Sequence, residues 1–303
     1  MNANIRAGIL FAILAATISG FSIFYNKLVI VRGIDPLIFN ILKNGGVALL
    51  LTSFLLIRKK VHLLVQLSKT QWMKLFAIGI IGGSIPFVLY FEALKQVSAV
   101  NANILHKTLF LWVAMMAIPV LGERLGRFQL LGYAMVAWSN VFIGGFTGFT
   151  WSVPELMIIL ATIFWSVENI IAKIALKDID SSIVAWCRMF IGSFLLLVLA
   201  VFQGKSELLS QITVTQLIAT FGSILFLTFY VSCWYKALSL APATTVTATL
   251  ILSTPITNVL SAIFITHTFP TQNMINFFGT VIGVFLIIFF SKKFFKTDQV
   301  ALS

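Results

Sequence analysis

Five ionisable side chains stand inside stretches otherwise apolar enough to lie in lipid: Lys43, Lys107 and Arg188, with Glu92 and Glu168. A charge in the hydrocarbon layer costs on the order of 3 kcal/mol on insertion scales, so each needs a counter-charge, water or a solute. Lys107 follows His106, and Asn103 lies four residues earlier on the same helical face. A cation and an amide so placed suit a carboxylate or a phosphate. An ion pair with Glu92 would satisfy Lys107 equally well. Glu168, flanked by Trp165 and Asn169, could line a solute pocket and couple proton uptake to transport. It could instead bridge to Lys173 or Arg188, or make a packing hydrogen bond between helices. Arg188 and Lys43 each fall about two turns into a helix. Snorkelling, a fixed interhelical pair and solute contact are all open to them. The five charges leave an excess of one positive, which favours an anionic or zwitterionic solute.

Prolines mark where a helix must release carbonyls that a neighbour or ligand can take. Pro255, beside Ser253, Thr254 and Asn258, is the first candidate for such a cavity-facing break. Pro86 follows Gly82-Gly83-Ser84 and predicts a bend, while Pro119 reads as a helix terminator. Tyr90, Trp165 and Trp234 are candidate cavity walls.

The elements that must hold these residues are membrane helices. The chain is 59% hydrophobic and 10% charged with a mean hydropathy of +1.03, too few polar groups to cover a soluble fold. Apolar runs predict spans at 5–26, 36–57, 72–94, 97–121, 128–146, 154–176, 182–202, 215–238, 243–265 and 272–291. About ten spans leave no room for a soluble catalytic domain. The first run lacks a small-residue cleavage site and reads as a retained helix. Cys187 and Cys233 lie in apolar runs without metal-ligand spacing and read as buried hydrophobes. With the N-terminus inside, 14 Lys and Arg fall on the inner side, 4 on the outer and 3 within spans. That bias predicts a cell inner-membrane protein with both termini cytoplasmic. The same bias accounts for the net charge of +12 without nucleic acid.

The two halves repeat. Glu92 to Leu105 aligns with Tyr235 to Leu250, the run ending at Lys27 with that ending at Lys173, and Lys43 with Arg188, all at offsets of 144 to 146. Five spans per repeat is an odd number, so the second copy enters the membrane from the opposite side. Such inverted repeats enclose a midplane site and rock about it. The expected units are residues 1–147, residues 148–293 and a cytoplasmic tail at 294–303.

The stretch from Ala117 to Gly145, with Leu121-Gly122-Glu123 followed by Gln129 and Gly132, resembles the end of the first repeat in the drug/metabolite transporter superfamily, EamA type. The stretch Ser239 to Phe264, with Ala241-Pro242 and Pro255, resembles the matching helix of the second repeat. Arg188 stands where that family often carries an arginine. The resemblance implies ten helices in two inverted bundles, with a cavity lined by helices 1, 3, 4, 6, 8 and 9. Two departures stand out: His267 occupies the place expected for the second Glu, and Leu111 stands where the first repeat would carry a mid-helix proline.

Other classes of function find little support. No Walker-type phosphate loop is present, so ATP is not the energy source on this chain. His62, His106 and His267 are scattered, with no HExxH or nucleophile elbow, which argues against a membrane enzyme. The expected partners are a small-molecule solute and the bilayer, with no cofactor or metal, in a monomer or weak homodimer. The Gly79-x-x-x-Gly83 and Gly279-x-x-x-Gly283 spacings read as packing within one bundle. A cationic-drug exporter, a channel and a non-transporting scaffold are the alternatives.

Overall fold

In lipid each backbone N–H and C=O must be paired within the protein, and helices do this locally. The computed structural model describes residues 3–30, 33–94, 96–97, 99–140, 148–268 and 270–291, leaving aside the side chains of 27, 30, 99, 100 and 266. Arg32, Lys95, Lys292, Lys293, Lys296 and the tail 294–303 lie outside the described residues. The helices are α1 (Ala3–Ile30), α2 (Pro36–Ile57), α3 (His62–Val65), α4 (Lys69–Gly83), α5 (Ile85–Ala93), α6 (Ala99–Lys107) and α7 (Leu109–Leu121). There follow α8 (Arg127–Asn140), α9 (Val153–Ala175), α10 (Ser181–Phe202), α11 (Val214–Leu240), α12 (Ala243–Thr249), α13 (Ser253–Ser261) and α14 (Thr271–Phe290). Among the described residues nine segments are long and apolar enough to cross a membrane. The protein is an all-α, multi-pass membrane protein. The expected fifth span corresponds to α8, and its last residues fall in 141–147, outside the described residues.

Three expected spans are interrupted rather than continuous. Ser84 leaves helical geometry (φ −132°, ψ −67°) two residues before Pro86 and separates α4 from α5. Between α6 and α7, the Thr108 hydroxyl and amide both bond to Leu105 O, at 2.6 and 3.2 Å. A side chain competing for a carbonyl tightens the turn without any proline. Ahead of Pro255 a 3-10 turn, Leu250–Leu252, joins α12 to α13.

The repeat relation is visible in the packing. Helices at equivalent positions run antiparallel against each other: α2 along α10, and α8 along α14. Along the first pair, Thr52 meets Trp186 at 2.7 Å, and Gly45 nears Ser193 further on. Along the second, Phe128 stacks on Phe290, while Ser139 at the other end meets Gly279 and Thr280. Antiparallel packing of equivalent helices requires the two copies to be inverted. Contacts recur in exchanged form. Gly46 is pressed by Ile224, and Gly79 by Ile191, the same pair of positions displaced by 145 residues with glycine and isoleucine swapped. The ion pairs Lys60–Asp180 (2.7 Å) and Lys205–Asp35 (3.3 Å) are likewise one interaction occurring twice, once at each membrane face. Capping boxes at Ser68/Gln71 and Thr213/Gln216 repeat at the same offset.

Candidate functional site

Proline has no N–H to give to the carbonyl four residues back, so Pro86 leaves Gly82 O free of its helical partner. That carbonyl accepts from Trp165 Nε1 at 3.1 Å and from Arg188 Nη2 at 3.3 Å, which draws α9 and α10 onto the break in α4–α5. Gly82 is also a contact requirement: a Cβ there would stand 2.3 Å from Glu168 Cγ. Glu168 Oε1 accepts a 2.6 Å hydrogen bond from Tyr235 Oη of α11. Arg188 lies beside Glu168, Tyr230 and Tyr235, yet no ion pair within 4.0 Å joins it to Glu168. Glu168 is 1% exposed and Arg188 8%. One acid and one base are thus gathered in a buried interior with two phenols. Burying charge so deeply is costly unless hydrogen bonds and opposite charge surround it.

An aromatic wall extends the cluster. Trp165 meets His106 with ring centroids 4.7 Å apart, Phe87 at 5.4 Å and Tyr90 at 5.7 Å. Trp234 Nε1 donates to Asn169 Oδ1 at 3.1 Å, and Asn169 Nδ2 donates to Trp165 O. His106 Nδ1 and Arg188 Nε are buried without a hydrogen-bond partner.

Lys107 has a partner that neither reading of the sequence named. Its Nζ donates to Ser253 Oγ at 2.7 Å, and both side chains are buried. The two residues are 146 apart, so equivalent positions of the two repeats meet where α6 breaks into α7 and α13 begins. The expected alternative, an ion pair of Lys107 with Glu92, is absent among the described residues. Glu92 instead stands at the exposed end of α5 beside a groove that also holds Asp35 and Lys205. Asn103 and Asn258 are half-buried, with Asn258 Nδ2 unpartnered. Lys43 is buried, bonds to Asn40 Oδ1 at 2.9 Å, and lies 4.8 Å from the Phe39 ring centroid.

Of the expected residues, Glu168, Trp165, Tyr90 and Arg188 come together around Gly82. Lys107 joins them through its neighbour His106, while Lys43 and Glu92 lie elsewhere. Pro255 is buried at the start of α13, but the carbonyl that draws side chains together is the one released by Pro86. Tyr235 and Gly82 were not among the site residues expected from the sequence. Both had a signal: Tyr235 is the repeat partner of Tyr90, and Gly82 stands four residues before Pro86. The suggested Glu168–Lys173 bridge does not occur. Lys173 Nζ donates to Leu238 O and Ala241 O, at 2.5 and 2.7 Å. Glu123 accepts from Ala243 N, Thr244 N and Thr244 Oγ1, at 2.7, 3.0 and 2.6 Å. The cation and the anion thus grip opposite sides of the turn between α11 and α12, matching the helix-end partial charges. The placement of His267 at the second Glu position is corrected by backbone geometry. Gly122 and His267 are both left-handed, with φ of 70° and 52°, so His267 is the counterpart of Gly122 and Thr268 that of Glu123.

The profile of the EamA-like transporter family matches residues 6–145 and again 153–289. The chain belongs to the EamA-like transporter family. As a family member it is a membrane transporter of the drug/metabolite type, not an enzyme. One crystal structure, described only as that of a protein, aligns with a TM-score of 0.79 over 95% of this chain and 99% of its own, at 14% identity. That likeness shows a shared fold. No curated protein matches the chain. The two EamA copies account for the exchanged contacts: each supplies one of the antiparallel partners, and the Gly82 cluster draws on helices of both.

Proposed function

We propose that this EamA-like protein is a secondary carrier moving a small anionic or zwitterionic metabolite, an amino acid among the candidates, across the cell inner membrane. Transport proceeds by alternating access. The repeats at 1–147 and 148–293 rock against one another, with both termini and the tail 294–303 in the cytoplasm. The observation that carries this reading is the convergence of buried Glu168, Arg188 and Tyr235 on a helix break contributed by the other repeat. A site formed from both inverted halves changes access when they tilt. The sign of the solute follows from the buried charges: Lys43, Lys107 and Arg188 outnumber Glu155 and Glu168 by one, and Glu92 is exposed.

The test is a proteoliposome screen of labelled amino acids, nucleotides and organic cations at two pH values. The expected result is saturable flux that Glu168→Gln and Lys107→Ala each lower at least tenfold while the protein still inserts. Parental rates in both variants would refute the site. Flux that rises without saturation would favour a channel, and cation-selective flux a cationic-drug exporter.

A further inference from the structure

We infer that Arg188 is the anchor for the solute's oxyanion, holding a carboxylate or phosphate through its Nε and Nη donors, with Glu168 and Tyr235 fixing the guanidinium in place. The inference rests on the transporter reading above and specifies which of its cations binds.

A guanidinium carries five N–H donors in a planar fork and remains charged at any physiological pH. Arg188 donates a long 3.3 Å hydrogen bond to Gly82 O and interacts with the Tyr235 hydroxyl. Its Nε is buried with no acceptor, and the residue is 8% exposed. A buried donor without an acceptor is expensive, and more so on a charged group. An incoming oxyanion supplies what is missing: Nε and one Nη form two parallel bonds to its oxygens. Glu168 does not fill this role. It lies beyond 4.0 Å from Arg188 and spends one oxygen on Tyr235. Near but not ion-paired, it offsets the arginine's charge while leaving the Nε donor open.

The competing cations are less suited. Lys107 commits its ammonium to Ser253 at the junction of the repeats, and Lys43 is held between Asn40 and aromatic rings. The surroundings of Arg188 also provide a way to yield. Gly82 O keeps its Trp165 donor when Arg188 turns away, so the helix break stays satisfied after the solute binds. Trp165 thereby becomes a reporter, since its indole shares an acceptor with the anchor.

The test uses purified full-length protein in nanodiscs, with tryptophan fluorescence as readout. The probes are sodium acetate, inorganic phosphate and tetramethylammonium chloride at constant ionic strength. The expected result is a saturable change with acetate or phosphate and none with tetramethylammonium; the stronger of the two anions names the oxyanion class. Arg188→Lys keeps the charge but lacks the fork, and should weaken the response at least tenfold. Its melting temperature and monodispersity report whether the fold persists. The double variant Glu168→Gln/Arg188→Gln removes both charges and should stay unresponsive. A double variant that regains the response would show that Arg188 only balances Glu168, and would overturn the inference. So would an Arg188→Lys protein equal to the parent, an equal response to tetramethylammonium, or a parent silent to both anions. Failure of the carrier reading would look different: no saturable flux of any solute in liposomes, whatever the fluorescence shows.

Discussion

Arg188 and Lys43 occupy equivalent positions in the two repeats, yet their surroundings have diverged. Around Arg188 stand Glu168, Tyr235 and the carbonyl released by Pro86. By the repeat offset, the counterparts of these groups are Ser22 for Glu168, Tyr90 for Tyr235 and Val231 for Pro86, while Lys43 itself meets Asn40, Phe39 and Phe87. Tyr90 turns its ring to His106 and Trp165. The scaffold is two-fold, whereas the chemistry is concentrated on one side of the axis. Duplication preserved what both halves need to pack and relaxed what only one site uses.

The strongest challenge to this comparison is Gly82→Ala. The added Cβ would stand 2.3 Å from Glu168 Cγ, where the counterpart Leu227 already carries a side chain. Overpacking of this kind costs about 1–3 kcal/mol. Flux should fall at least tenfold and the melting temperature should drop, while Leu227→Met is tolerated. Equal effects at both positions would erase the asymmetry.

Comparable in stability but without the steric block to flux is Tyr235→Phe, which strips the 2.6 Å hydrogen bond from a buried carboxylate. A bond to a charged group contributes about 1.5–3 kcal/mol. Denaturation should reveal a loss of that order, against little change for Tyr90→Phe, whose contacts are made by its ring.

The smallest effect belongs to the rim. At Asp180, burial raises the carboxyl's pKa, but hydrogen bonds from Lys60 and Ser182 outweigh it and hold the group below the usual carboxylate range. A lowered folded-state value means that its stabilisation is present above about pH 3.9 and is lost as pH falls through the depressed value. Lys60 and Asp180 are 34% and 33% exposed, so the pair contributes roughly 0–1 kcal/mol. Asp180→Asn should lower the melting temperature slightly at neutral pH and not at all in strong acid. A deficit that persists in acid would contradict the electrostatic account.

Much of the fold was legible because lipid imposes a simple rule: span length follows membrane thickness, and apolar runs show it. The predicted 182–202 differs from Ser181–Phe202 by one residue at its start, and 272–291 from Thr271–Phe290 by one residue at each end. Interruptions were harder to read. Pro86 announced one of them, but the α6–α7 break arises from Thr108 bonding back to Leu105, a local competition that hydropathy does not register. At the site, Glu168, Trp165 and Arg188 were visible as costly or bulky groups in apolar runs. Their meeting point was not, since it is a backbone carbonyl, and sequence shows side chains only. Lys107 was read as facing a solute or pairing with Glu92; its bond to Ser253 was not legible because that acceptor is a neutral hydroxyl, 146 residues away in the equivalent position.

The grip on the α11–α12 turn has a dynamic corollary. Glu123 makes three hydrogen bonds with two adjacent residues, and Lys173 holds the carbonyls just before them. Bonds that share one carboxylate are lost together once it swings aside. That rim should therefore unfasten in a single abrupt event, with few half-parted states along the way.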